Sequence, residues 1–113
     1  MSHWNALLAG ALLLSATGIV GAAEAEAPEF VIVIKNHRFT PTEVTVPAGK
    51  KVKLVVDNQD PTPEEFESHK LNREKVIPGN SKAVIFVGPL KPGTYEFVGE
   101  YNEKTAKGKL IVK

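Results

Sequence analysis

The chain has 113 residues, a formal net charge of +1, 42% apolar and 24% charged residues, and no Cys. That leaves room for one small module with an ordinary core. The balance argues against a nucleic-acid or polybasic membrane surface, and the missing Cys excludes a disulfide framework or a lipid-modified amino-terminal Cys. In chain order, "MSHWNALLAGALLLSATGIVGAAEAEAPEF" has no Lys or Arg, no acid before Glu24, and a Leu, Ala and Gly run ending in small residues. It predicts a secretory signal peptide over residues 1–22, cut after Ala22 or Ala23, a linker over 23–28 and one domain over 29–113. An uncleaved single-span anchor is the alternative, and the Ala and Gly content speaks against it. The domain is therefore expected in the periplasm, with no membrane insertion after cleavage.

From residue 30 onward the pattern is β. "FVIVIK" at 30–35 is β-branched, "TEVTV" at 42–46 alternates, and "KKVKLVV" at 50–56 puts Val52, Leu54 and Val56 on one face. Further strands are predicted at 65–71, 75–77, 82–88, 94–100 and 108–113, separated by "VPAGKK", "NQDPTPEE", "PGNS" and "LKPGTY", whose Pro, Gly, Asn and Asp reverse chains. Seven or eight short strands make an all-β Greek-key sandwich. Leu90, Pro92, Gly93 and Tyr95 have the spacing of a tyrosine corner, which predicts a bond from the Tyr hydroxyl to backbone just upstream. Phe39, Phe66, Phe86, Tyr95 and Phe97 fall where the patterning wants core, and Tyr101 falls on the last loop. His37 is expected in a turn after the first strand.

On an extended strand Glu65, Glu67 and His69 share one face. Glu100, Asn102 and Glu103 lie on the last loop, and the two sets are candidates to meet at one end of the sandwich. Carboxylate with imidazole suits Cu(II), Fe(II), Fe(III), Mn(II) or Zn(II). The only Met is Met1, so a domain beginning at residue 29 has no soft sulfur donor. A solvated acidic rim is the plainer reading of the same Glu residues. Nothing in the chain has the spacing of a nucleophile elbow, a phosphate-binding Gly-rich loop or H-E-x-x-H, and no hydrolytic chemistry is expected.

"RFTPTEVTVPAGKKVKLVVDNQD", "IFVGPLKPGTYEFVGEY" and the closing "GKLIV" together resemble the cupredoxins, the blue-copper sandwich family. "PTPEEFESHKLNREKVIPG" followed by "GEYNEKTAKG" resembles, more narrowly, the Cys-less cupredoxin-like periplasmic proteins associated with bacterial ferrous-iron transport systems. The resemblance implies a cupredoxin-like fold, and it puts Gly99 at the thiolate position of a type 1 copper site, Asn102 near the following His, Ala106 or Lys107 near the Met, and Glu65 close to the first His. Every standard ligand is replaced, so no blue-copper centre is expected. What it implies instead is a copper or iron ion held by Glu65, Glu67, His69, Glu100, Asn102 and Glu103, in an accessory of iron uptake that works beside an inner-membrane iron permease or another periplasmic protein, with a ferroxidase-type step implied by the resemblance alone. The alternative is a metal-free module that docks a transporter or partner through its acidic rim.

Overall fold

The computed structural model describes residues 27–113, so the expected signal peptide at 1–22 and residues 23–26 of the linker lie outside the described residues. Two sheets face each other. One has the order β2-β1-β4-β7, from strands β1 (Glu29–Lys35), β2 (Arg38–Thr40), β4 (Val52–Asn58) and β7 (Ser81–Val87). The other has the order β3-β9-β8-β5-β6, from β3 (Glu43–Val46), β5 (Glu64–Ser68), β6 (Arg73–Ile77), β8 (Gly93–Val98) and β9 (Lys107–Val112). Two pairings, β1 with β4 and β3 with β9, are parallel, so each sheet joins distant parts of the chain in the expected Greek-key manner. Among the described residues no helix is long and apolar enough to cross a membrane.

Period-two patterning builds the core. Ile32 and Ile34 of β1, Val52, Leu54 and Val56 of β4, Ile85 and Val87 of β7, and Leu110 and Val112 of β9 are buried between the sheets. Beneath one end, Phe39, Phe66 and Phe97 make a cluster, with Phe66 stacked on Phe97 at 4.8 Å between centroids and Phe39 edge-on to both. Close packing fixes a glycine here, because a Cβ on Gly108 would lie 2.6 Å from the Phe97 ring. At the other turn of the chain the Tyr95 hydroxyl donates to Lys91 O at 2.8 Å, the tyrosine corner expected from "LKPGTY".

Three expectations change. Among the described residues nine strands form where seven or eight were expected, the extra one being β2, whose three residues are too few to show a period; Phe39 alone turns inward. Phe86 is 43% exposed, because β7 places Ile85 and Val87 inward and Phe86 between them outward, under the Lys51 ammonium at 4.7 Å. The strand expected at 65–71 stops at Ser68, where Ser68 Oγ accepts from Leu71 N and His69 O accepts from Asn72 N to close a turn. His69 therefore lies beyond the strand, outside the Glu65 and Glu67 alternation.

Candidate metal centre

The first, fourth and last loops meet at the end of the sandwich above the three phenylalanines. Residues 36 and 37 join β1 to β2 with φ of 54° and 58°, a two-residue hairpin turn with both residues left-handed. Asp60 holds that turn: its carboxylate accepts from Asn36 N at 2.7 Å and from His37 N at 3.0 Å. Burial alone raises the Asp60 carboxyl, but the hydrogen bonds from the His37 and Asn36 backbone and with Glu64 outweigh it and hold it below its ordinary value. Thr105 Oγ1 donates to His37 O at 2.6 Å and ties the last loop to the same turn.

Glu64 and Glu65 are both buried and point to opposite faces of β5. Glu64 turns inward. Its Oε2 is 2.6 Å from His37 Nδ1, and its Oε1 accepts from Asn102 Nδ2 at 3.1 Å. Both carboxyl oxygens of this fully buried residue therefore have partners, as burial of a polar group requires. His37, Asp60 and Glu64 can each bring one ligand atom within 4.8 Å of the others, although these atoms are already bonded to one another or to backbone.

Glu65 turns outward and joins a second, all-carboxylate group. Glu65, Glu67, Glu74 and Glu100 each place an oxygen within 4.8 Å of the others. Glu67 and Glu74 sit directly opposite on β5 and β6, and Glu100 opens the 3₁₀ turn Glu100–Asn102, whose first N–H donates to Glu65 Oε1 at 3.1 Å. Charge is poorly compensated here. Desolvation first, then hydrogen bonding with Glu74, pushes the Glu65 carboxyl up to about 7. Hydrogen bonding with Glu100, followed by burial, raises Glu67 as well. Glu67 Oε1 is buried without a hydrogen-bond partner among the described residues. Carboxylates forced together in this way either keep protons or share a cation.

Of the six residues predicted as ligands, the structure brings Glu65, Glu67 and Glu100 together. His69 is beside them, with Nε2 at 3.4 Å from Glu67 Oε2 and its side chain 95% exposed. Asn102 belongs to the inner group through Glu64, and Glu103 is exposed in neither group. The sequence reading missed Glu74. A hairpin closing between residues 70 and 71 pairs 67 with 74, so the turn at "HKLN" carries the signal that finds it. The inward residue facing Asn102 is Glu64, one position before the residue expected there.

A thiolate-centred copper site does not fit these residues. A Cβ on Gly99 would lie 2.9 Å from Ala106 Cβ and 3.0 Å from Glu65 O, so a Cys there needs a backbone shift. Asn102 is engaged by Glu64, and Ala106 is a buried methyl. Comparison with known proteins agrees with the architecture. The family described as "Cupredoxin-like domain" matches residues 5–112. An uncharacterized protein of Rickettsia prowazekii (strain Madrid E) is 46% identical over 84 residues, covering 74% of this chain and 67% of its own. Among solved structures, the metal-binding domain of a Cu(I)-exporting P-type ATPase from Streptococcus pneumoniae D39 superposes with a TM-score of 0.67 at 18% identity, covering 75% of this chain and 84% of that one. Auracyanin A, a blue copper protein of Chloroflexus aurantiacus, does so at 0.64 and 17%, covering 75% and 98%. At such identities the likeness is one of fold.

Proposed function

The chain belongs to the cupredoxin-like domain family, and from that premise we propose that it is an exported, periplasmic metal-binding protein whose ion sits on the outer carboxylate group. The observation that carries this reading is the convergence of Glu65, Glu67, Glu74 and Glu100 within 4.8 Å, with Glu67 Oε1 buried and unpartnered among the described residues. Four carboxylates and no sulfur donor favour a hard, oxygen-preferring ion, which among redox metals means iron before Cu(I). Two proteins that share the fold are described as copper-binding, which supports a metal-binding role, and the blocked thiolate position argues for a different donor set here. The role that suits such a domain is an accessory of iron uptake beside an inner-membrane permease, with residues 1–22 as its export signal.

The chain's own residues would hold the ion and set its surroundings. Glu65 is fixed by the Glu100 N–H, Glu67 and Glu74 face each other across a strand pair, and the 3₁₀ turn brings Glu100 over them. Anaerobic equilibrium dialysis against Fe(II), Mn(II) and Cu(II), each with metal analysis, tests the reading. Retention of one ion per chain, lost in Glu67→Gln and kept in Glu103→Gln, supports it. Equal retention by parent and Glu67→Gln sinks it, and the carboxylates are then a rim available to a protein partner.

A further inference from the structure

The outer face of the four-stranded sheet is apolar where a solvated face would be polar. Strands with one face in water alternate, and strands covered on both faces read as continuous apolar runs. "FVIVI" of β1 and "AVIFV" of β7 are runs of the second kind, yet only their inward residues meet the core. The register sets Val31 beside Val55 and Val55 beside Val84, one row across β1, β4 and β7, with Val33 and Phe86 in the rows on either side. Val31 and Val84 are 47% and 48% exposed, and nothing among the described residues covers the row. An exposed apolar patch with a charged rim marks an interaction surface. Here the rim is Glu29 with Lys53, paired at 3.3 Å, at one end and Asp57 beside Lys82 at the other.

We propose that this face packs against the same face of a second copy of the chain. What selects a copy is the order of charges along β4. Lys53 and Asp57 lie two residues before and two residues after Val55, on the same side of the strand. A twofold axis between the faces, running along the valine row, reverses the strand direction. It therefore seats Lys53 of each chain against Asp57 of the other, twice over, and lays each valine on its counterpart. The parallel arrangement would set Lys53 on Lys53 and Asp57 on Asp57, which like charges oppose. Strand geometry bounds the size: β1, β4 and β7 have seven residues each, so at about 4.8 Å per strand and 3.3 Å per residue they form a face of roughly 14 by 23 Å. That falls short of the roughly 800 Å² per partner of a standard interface, so the dimer is weak, half dissociated between about 10 μM and 1 mM. The outer carboxylates lie on or beside the other sheet, so the dimer neither needs nor blocks a metal there.

Sedimentation equilibrium of the metal-free full chain, from about 10 μM to 2 mM, tests the proposal. The expected result is a monomer–dimer equilibrium that Val84→Lys weakens about tenfold or more, since the twofold sets the two new charges against each other. Lys53→Asp and Asp57→Lys should each be monomeric over most of the range, because each leaves like charges facing. Mixed in equal amounts, the two variants restore both opposite-charge pairs and should sediment as a dimer. Thermal unfolding of each variant checks that the fold is intact. A parent that stays monomeric overturns the proposal and leaves the face to a partner of another kind. A dimer untouched by Val84→Lys overturns it by placing the interface elsewhere in the chain. A mixture no more associated than its two parts overturns the pairing of Lys53 with Asp57, and with it the argument for a second copy.

Discussion

Glu64 and Glu65 are sequence neighbours in opposite electrostatic situations. The inner carboxylate is fully buried with both oxygens bonded, to His37 and Asn102, while the outer one sits among three other carboxylates and is raised to about 7. The same division splits the 3₁₀ turn, which sends Asn102 to the inner group and Glu100 to the outer. Strand β5 and the 3₁₀ turn thus each contribute to both sides. The inner group is satisfied by the chain itself and locks three loops together. The outer group is left short of positive charge. Burial alone does not distinguish structure from function at this end of the molecule; hydrogen-bond satisfaction does.

Truncation on the two sides should have opposite consequences, and the largest belongs inside. Glu64→Ala strands the Asn102 amide, deprives His37 of its partner and opens a cavity, so we expect a loss of about 2–4 kcal/mol in urea unfolding of the metal-free chain. Glu67→Gln removes one of the crowded carboxylates and should leave metal-free stability equal or slightly higher. A similar loss in both would erase the distinction. Next in size is Gly99→Cys, where the new side chain must push Ala106 and the Glu65 backbone; a cost of about 1–3 kcal/mol is expected. Cu(II) added to that variant should give no intense thiolate-to-copper band, since Asn102 and Ala106 supply neither imidazole nor thioether.

The outer group also makes a pH prediction. Glu65 is raised from 4.5 to about 7, so the folded chain holds a proton that the unfolded chain releases near the lower value. Its contribution to stability is fully present below about 4.5 and is lost as pH rises through about 7. Urea midpoints of metal-free protein should fall across that window, and Glu65→Gln should flatten the slope there. Saturating metal should reverse the trend, because the cation favours the ionised carboxylates.

The strands were legible because their apolar alternation and turn residues agree, from "FVIVIK" through "GKLIV". β2 was not, since three residues carry no period. Site residues were legible where one strand's alternation decided them, as with Glu65 and Glu67, or where the loop resemblance placed them, as with Glu100. Glu74 depends on hairpin register, a relation between strands that neither strand states by itself. His69 was put on the Glu65 face by extending the alternation one residue past the point where Ser68 Oγ turns the chain. Asn102 was placed with the metal ligands because its loop faces them, yet its amide reaches Glu64 through a tertiary contact spanning 38 residues.

That contact supports the smallest of the expected effects and the one that joins the two sides. Asn102 touches no outer carboxylate, but its bond to Glu64 holds the 3₁₀ turn against β5, and the same turn presents Glu100 and its N–H to Glu65. If the inner lock positions the outer site, Asn102→Ala should weaken metal retention about fivefold, equivalent to about 1 kcal/mol of lost hydrogen bonding. Asn102→Asp adds a charge beside Glu64 and should do worse, whereas Asn102→His keeps a donor to Glu64 and should restore part of the affinity. An Asn102→Ala chain that unfolds at a lower urea concentration and yet binds metal as tightly as the parent would mean that Glu65 and Glu100 are held by their own bond, and that the inner group serves the fold alone.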